Sequence, residues 1–357
     1  MKTFRCACGA RVFFENTRCL TCSRELGFFP LELAIVALEP AGQDVYRPAA
    51  REGCFKKCQN NVEHGVCNWM IDASDSYALC LACRLNNVIP DLTSPESREL
   101  WAEVEGAKRR LVYSLSQLEL PLVPKAEDPE NGLAFDIKAE SGSERVLTGH
   151  AEGLITLNLA EADDVARERM RVAMKERYRT LLGHFRHEIG HYYWGRLVVG
   201  TGELERYRAL FGDERADYAE ALRRHYESDA APEPMGAYIS GYAAAHPWED
   251  WAETFAHYLH VIDTLETAQH FGFTSDLPRK ASPPEIRDFD LLMREWLDLT
   301  LALNALNRSM GLPDAYPFTI SPQVREKLEF VHERIVVTRR QVGSERLLPL
   351  PARLPPG

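Results

Sequence analysis

The sequence predicts an α+β fold in which a small β-rich module precedes a larger, mainly helical domain with a small sheet. Two observations support this prediction. All nine cysteines lie in the first 83 residues, where short strand-like runs occur and helical patterns are few. Beyond residue 94, apolar residues recur at helical spacing over long stretches. We therefore predict the module over residues 1–90, the helical domain over 91–341 and a proline-rich, disordered tail over 342–357.

Composition narrows the classes of function. The chain has 357 residues and a formal net charge of -11, which disfavours nucleic acid as the main partner because nonspecific binding depends on neutralising phosphates. The N-terminal run lacks the apolar stretch of a secretory signal, and no apolar run is long enough to cross a membrane. We expect a cytoplasmic protein with no membrane partner, whose cysteines bind metal rather than form disulfides.

The first cysteine cluster predicts a structural zinc ribbon. Cys6 and Cys8 are one residue apart, and Cys19 and Cys22 form a CxxC pair further along. Four thiolates from two such knuckles can close a tetrahedral zinc shell, and a closed shell is structural rather than catalytic. The alternative is a set of buried thiols without metal.

The second cluster contains five cysteines, one more than a tetrahedral site needs. The CxxC pair of Cys80 and Cys83 is its firmest half. For the other half we prefer Cys58 and Cys67, because the turn-rich loop between them lets both approach the CxxC pair. Cys54 is the alternative to Cys58, or a spare thiol. The sequence therefore predicts a second structural zinc.

The larger domain begins with a helix capped by Ser94, with Pro95 at its first position. Residues 133–139 and 153–163 are predicted as strands. Residues 153–158 are a candidate edge strand that a peptide substrate could extend, with an ordinary sheet strand as the alternative. The remaining predicted helical segments cover residues 163–176, 178–198, 203–227, 247–268, 285–309 and 322–341.

The segment "HEIGH" contains His187, Glu188 and His191 in an HExxH pattern. Histidines four residues apart project from one face of a helix and can share a zinc ion. Glu188 would then lie beside the zinc-bound water as a general base. The alternative is a pair of core histidines. His184 shares the approximate face, and we predict a core or supporting position for it.

A catalytic zinc needs a third protein ligand and an open position. The best source is residues 246–260, where Glu249 and Glu253 are four residues apart on a predicted helix. One of them can bind zinc while the other accepts the proton of a ligand imidazole. The rival is the acidic patch of Asp213, Glu214 and Asp217, whose commoner fate is a solvated helix face.

The spacing of "EDWAE" resembles the ExxA(D/E) helix of gluzincins, and it is similar to the glutamate helix of lethal-factor-type metalloproteases. That resemblance implies that Glu249 is the third ligand and that Glu253 orients a ligand histidine. Those proteases also place an active-site tyrosine seven residues before the ligand glutamate, which is Tyr242 here. The resemblance therefore assigns Tyr242 as a donor to the oxyanion.

Several strings in order, including "CACGARVFFENTRCLTC" and "YRTLLGHFRHEIGHYYW", resemble bacterial zinc-binding metallopeptidases with an N-terminal zinc ribbon, over residues 1 to about 340. The resemblance implies a zincin-like domain with a small edge-strand sheet, preceded by a double zinc-ribbon module. From the HExxH segment and the two cysteine clusters, we predict one catalytic and two structural Zn²⁺ ions, and a peptide or protein substrate. The alternatives are a zinc-ribbon adaptor that binds a protein partner beside a non-catalytic site, and nucleic-acid binding by the ribbons.

Overall fold

The architecture is α+β, as predicted. The computed structural model describes residues 2–49, 52–141, 145–174, 176–227, 236–274, 276–278 and 281–346, without the side chains of 340–346. Strands concentrate in the N-terminal part, whereas long helices dominate from residue 95 onward. Within these ranges, no helix has the length and apolar composition needed to cross a membrane.

The N-terminal module consists of two antiparallel sheets. β1 (Phe4–Arg5) and β2 (Arg11–Val12) form a small hairpin that holds the first cysteine knuckle. A short helix, α1 (Gln59–Val62), begins directly after Cys58. The second sheet has five antiparallel strands in sequential order, namely β3 (Leu26–Phe29), β4 (Ala34–Gly42), β5 (Val45–Pro48), β6 (Phe55–Lys57) and β7 (Met70–Asp72).

A third sheet has the strand order β10-β11-β9-β8. Its strands are β8 (Asn86–Val88), β9 (Ala134–Lys138), β10 (Gly149–Ala151) and β11 (Leu154–Asn158). β9 is parallel to both of its neighbours, whereas β10 and β11 form an antiparallel hairpin. β8 precedes residue 91, so this sheet contains a strand from the segment predicted as the module.

The prediction that residues 153–158 form the edge strand is wrong. β11 lies between β9 and β10, and β10 is the edge. Glu152 and Gly153 both have positive φ angles, 48° and 81°, as the two central residues of a tight hairpin turn require. This turn folds residues 149–151 back against β11 and covers its outer side.

The larger part of the chain is built from long helices. Ser94 caps the first one by accepting a hydrogen bond from the Ser97 N–H, as predicted. The helices are α2 (Pro95–Gln117), α3 (Asp164–Ala173), α4 (Leu181–Leu197), α5 (Leu204–Phe211), α6 (Tyr218–Glu227), α7 (Pro247–Phe271), α8 (Phe289–Ser309) and α9 (Pro322–Arg346).

Two helical predictions need correction. The segment 203–227 is two helices, because Gly212 has a φ of 102° and ends α5. A residue with that φ cannot continue a right-handed helix. The last helix runs past residue 341 to Arg346, so it enters the segment predicted as a disordered tail. The rest of that tail, 347–357, lies outside the described residues.

A buried ion pair on α2 connects this helix to the N-terminal module. Lys108 and Glu105 have no exposed side-chain surface, and their charged atoms are 2.7 Å apart. Both also hydrogen-bond to Asn86, which begins β8. The Cys83 thiol lies 3.8 Å from Glu105. The module and the helices therefore share one polar cluster within one continuous core.

The variant Lys108→Met tests this cluster. Removing one partner of a buried pair leaves the other charge uncompensated, so the free energy of unfolding should fall by about 3–5 kcal/mol. The matched control is Arg110→Met, because Arg110 pairs with Glu15 at the exposed surface and such pairs contribute less than about 1 kcal/mol. Urea denaturation measures both. Equal, small losses in the two variants would contradict the assigned role.

Candidate metal centre

α4 carries the HExxH segment and is held close to α7 by a glycine. Thr180 caps α4 by accepting a hydrogen bond from the Gly183 N–H. Where the two helices meet, a Cβ added to Gly190 would lie only 3.0 Å from the Cα of Ala252. Trp251 of α7 also donates its indole N–H to the Gly190 carbonyl at 2.8 Å. A larger residue at position 190 would push the two helices apart.

The start of α7 places Glu249 at the same level as the two histidines. His246 caps the helix, since its Nδ1 accepts a hydrogen bond from the Trp248 N–H and its Nε2 donates to the Ala216 carbonyl. Pro247 occupies the first helical position, where a missing N–H costs nothing. Glu249 therefore lies in the first turn, where the helix dipole favours an acid, and it is only 1% exposed.

Three ligand-type atoms converge between α4 and α7. The Nε2 atoms of His187 and His191 are 3.2 Å apart, and they lie 3.0 and 3.5 Å from Oε2 of Glu249. Ligand atoms about 2.0–2.1 Å from a tetrahedral zinc ion would be about 3.3 Å apart. Glu249 Oε2 is buried and has no hydrogen-bond donor among the described residues. This set therefore fits a zinc ion in both geometry and chemistry.

Glu253 fixes the orientation of the first histidine ring. Its Oε1 accepts a hydrogen bond from His187 Nδ1 at 2.8 Å, and its Oε2 accepts one from the Ser240 hydroxyl at 2.6 Å. Burial acts to raise the pKa of Glu253, but the hydrogen bond and charge of His187, with smaller effects of His257 and Ser240, together outweigh burial and lower the pKa to about 2. A proton on Nδ1 leaves the Nε2 lone pair directed at the other two ligand atoms.

The neighbours of Glu249 also stabilise the ionised form of its carboxylate. Burial acts to raise the pKa of Glu249, but His187 and His191 outweigh it and hold the pKa well below its usual range. The other carboxylate oxygen, Oε1, accepts a hydrogen bond from the Tyr218 hydroxyl at 2.6 Å. Glu249 is therefore ionised, with one oxygen occupied and the other free for a metal.

Tyr218 was not predicted as a site residue from the sequence. The residues just before it were considered only as candidate acidic ligands. The hydrogen bond from His246 to Ala216 brings the start of α6 against the start of α7. A tyrosine two residues beyond that contact can therefore reach Glu249. The sequence offered no signal for this pair, because the two residues are 31 positions apart.

Tyr242 lies beside the first histidine of the ligand set. Its ring centroid is 5.7 Å from that of His187, and its side chain lines the same cleft. Burial and then the charge of Glu249 raise the pKa of Tyr242 far above its usual value. The phenol therefore keeps its proton and can donate a hydrogen bond.

The rival acidic patch does not contribute to this set. Asp213 pairs with Arg215 at 2.8 Å and Glu214 pairs with Arg208 at 2.6 Å. Asp217 accepts a backbone hydrogen bond in the first turn of α6. Two of these acids form ion pairs with nearby arginines, and the third caps the start of α6. A solvated helix face was the alternative predicted for them from the sequence.

Glu188 and His184 face a cleft beside the metal centre. The cleft has a volume of about 1340 Å³, and both side chains line it together with His187. His184 lies 3.2 Å from Glu161 and outside the group of ligand atoms. Its position is therefore a supporting one in the cleft wall.

Each predicted cysteine quartet is also brought together. Within each set the Sγ atoms lie within 4.8 Å of one another. Individual Sγ separations are 3.6 and 3.7 Å in the first set and 3.7 Å in the second, close to the roughly 3.8 Å expected for a tetrahedral zinc–sulfur shell. Cys54 is exposed and belongs to neither set. The sets are Cys6, Cys8, Cys19 and Cys22, and Cys58, Cys67, Cys80 and Cys83.

Comparison with protein families agrees with these features. The family described as "Putative zinc-binding metallo-peptidase" matches residues 97–334. The chain belongs to this metallopeptidase family. A zinc-ribbon domain family matches residues 3–94 of the chain. Relatives of the chain include the uncharacterized proteins Rv2568c of Mycobacterium tuberculosis and Mb2598c of Mycobacterium bovis. Each is 43% identical to this chain over 337 residues, which cover 93% of this chain and 94% of the relative. No solved structure matches the chain.

Metal analysis of the purified metallopeptidase tests the three candidate sites. We expect three zinc ions per chain by elemental mass spectrometry, and two after His191→Ala, since loss of one of three ligands empties an open site. The control Glu214→Gln should keep all three. One zinc ion in the unaltered protein would exclude two ribbon sites, and three in His191→Ala would exclude the site on α4.

Proposed function

We propose that this protein is a gluzincin-type zinc peptidase that hydrolyses peptide bonds, with zinc held by His187, His191 and Glu249. The observation that carries the proposal is an open ligand set. Three ligand atoms converge, and no fourth protein ligand joins them among the described residues. A structural zinc is closed by four protein ligands, whereas a catalytic zinc keeps one position free. Zinc held there would supply a Lewis acid and an activated water.

Glu188 is placed to act as the general base. It follows His187 directly, is 8% exposed and lines the cleft. Unlike the other acids near the site, its carboxylate has no hydrogen-bond or ion-pair partner in the part of the chain that the structure describes. The carboxylate can therefore take a proton from the attacking water and deliver it to the leaving amine.

The two tyrosines are proposed to have different roles. The Tyr218 hydroxyl already donates to Glu249, so it positions a metal ligand. Tyr242 lines the cleft beside His187 and remains a neutral phenol. Its hydroxyl would therefore donate to the oxyanion that forms from the substrate carbonyl.

The edge strand next to the site suggests how a peptide is held. β10 lies against α4, and the His150 ring of β10 is 6.1 Å from that of His191, in a nearly parallel arrangement. Among the strands that the structure describes, β10 pairs with β11 alone. An extended peptide can add to the outer side of such a strand through main-chain hydrogen bonds. We therefore assign substrate binding to β10 rather than to residues 153–158.

The adaptor alternative is less well supported. A non-catalytic site would be closed by a fourth protein ligand, and the described residues supply none within reach of the other three. Protein or peptide is thus the proposed substrate class. Recruitment of a protein partner by the zinc ribbons stays a prediction.

The variant Glu188→Gln tests the mechanism. Glutamine has nearly the same shape but cannot accept the proton, so kcat on a cleaved peptide should fall about a hundredfold to ten-thousandfold while zinc content is unchanged. Glu205→Gln is the control, because this acid is exposed on α5. Full activity of Glu188→Gln with zinc still bound would rule out this role for the residue.

A second pair of variants separates the tyrosine roles. Tyr242→Phe should lower kcat about a hundredfold without changing zinc affinity. Tyr218→Phe should weaken zinc binding about tenfold to a hundredfold, because it removes a hydrogen bond to a ligand. Steady-state kinetics and competition with a chromophoric chelator measure the two effects. The assignment fails if the two variants exchange these phenotypes or if neither quantity changes.

A further inference from the structure

The cleft extends well beyond the metal centre. α7 carries His257 and His260 further along the same wall of the cleft as Glu253. At 1.5 Å per residue, they lie about 12 and about 16 Å along the helix from Glu249. Tyr178 and Phe318 line the same region. Of the three ligand residues, His187 lines the cleft, and it marks one end, whereas a second group of side chains forms the other end.

We call this second group the aromatic end, defined by Tyr178, His257, His260 and Phe318. The His257 and Phe318 rings meet edge to face with centroids 4.5 Å apart. Tyr178 lies 5.6 Å from His260 and 6.0 Å from Phe318. Tyr316 packs behind both histidines, at 5.6 and 5.5 Å. The rings hold one another in place and form a stiff wall.

The two imidazoles also have unused hydrogen-bonding capacity. His257 Nδ1 is hydrogen-bonded to the Tyr316 hydroxyl at 2.9 Å. Neither Nε2 of His257 nor either ring nitrogen of His260 has a protein partner among the described residues. Burial lowers the pKa of His257 to about 4 and also lowers that of His260. Both rings are therefore neutral at pH 7, and each can donate one hydrogen bond and accept one.

Charge and ligand geometry limit what can bind there. The described residues that could hold a metal ion form three groups, and neither histidine belongs to any of them. Arg186 lines the cleft as well, but it offers a guest no free positive charge. Its pairing with Asp263 compensates that charge, so an anion gains little. A flat, neutral group with a polar tip fits best.

We propose that the aromatic end is a specificity subsite for an aromatic side chain of the substrate, with tyrosine preferred over phenylalanine. The inference rests on the proposed peptidase function and names its substrate class. Ring faces and edges of the wall would pack against the guest ring. The free imidazole nitrogens would bond to a phenol hydroxyl, which phenylalanine lacks. A lysine side chain would lose its hydration against this ring wall, whose members carry no charge.

The test uses the full-length, zinc-loaded chain and blocked peptides that differ only at one position, about four residues from the cleaved bond, since an extended peptide rises about 3.3 Å per residue. Alanine, leucine, phenylalanine, tyrosine and lysine are placed at that position in turn, and mass spectrometry locates the cut. We expect kcat/KM for the tyrosine peptide to exceed that for alanine about tenfold. Phenylalanine should be intermediate and lysine lowest. A flat profile or a preference for lysine would overturn the subsite.

Variants assign the preference to the aromatic end. His260→Leu should reduce the tyrosine-to-phenylalanine ratio of kcat/KM to about one, because it removes the polar contact. Phe318→Leu should reduce the preference for both aromatic residues over leucine. The matched control is His270→Leu, an exposed histidine further along α7. Preferences that survive both cleft variants overturn the inference. Circular dichroism checks that each variant is folded.

Binding separates this inference from the proposed function. Glu188→Gln is used to measure the affinity of the tyrosine and alanine peptides by calorimetry without turnover. Tighter binding of the tyrosine peptide, lost in Glu188→Gln/His260→Leu, supports the subsite even if no peptide is cleaved by the parent protein. Cleavage of all peptides at equal rates, with equal affinities, overturns the subsite and leaves the peptidase function standing.

Discussion

The close contact between α4 and α7 at Gly190 is the constraint on which the metal centre depends. The ligand atoms come from two helices, two from α4 and one from α7, and they are separated by 3.0–3.5 Å. Such short separations tolerate little movement. The distance between the two helices and their relative position along their axes are therefore both constrained. The missing side chain of Gly190 sets the distance between the helices. The cap formed by His246 sets their register by starting α7 at Pro247, two residues before Glu249. The two helices remain fixed because interiors are close-packed.

Burying acids on α7 requires a partner for each one, and those partners connect the site to the rest of the fold. An unpaired buried charge is costly, and α7 buries several carboxylates along its length. Lys327 of α9, for example, pairs with Asp250 at 2.6 Å and donates to the Ala237 carbonyl, which anchors the segment leading to Ser240 and Tyr242. The partners are Tyr218 for Glu249, Lys327 for Asp250, His187 and Ser240 for Glu253, Arg186 for Asp263, and Tyr113 and Gln117 for Glu266.

The zinc-ribbon part is built into the same body as the peptidase part. β8 belongs to the sheet of the larger domain, and α2 contacts the second cysteine quartet through Glu105. Ring packing crosses the junction too, since Phe28 of β3 lies 6.1 Å from Tyr113 of α2. A single core therefore spans both family matches. The second cysteine quartet therefore contacts α2, and α2 in turn packs against α4.

The sequence by itself determined what local periodicity and spacing can encode. Residues 187 and 191 share a helix face because four residues make about one turn. The spacing of the cysteines predicted which of them group into quartets, and Ser94 and Pro95 predicted the start of a helix. Assigning Glu249 and Tyr242 already needed a family resemblance. The tertiary structure alone decided the rest: Tyr218 as a partner of Glu249, β10 rather than β11 as the edge, and the aromatic end of the cleft. The physical reason is that these features depend on contacts between residues far apart in the chain, and no local pattern records which distant surfaces will meet.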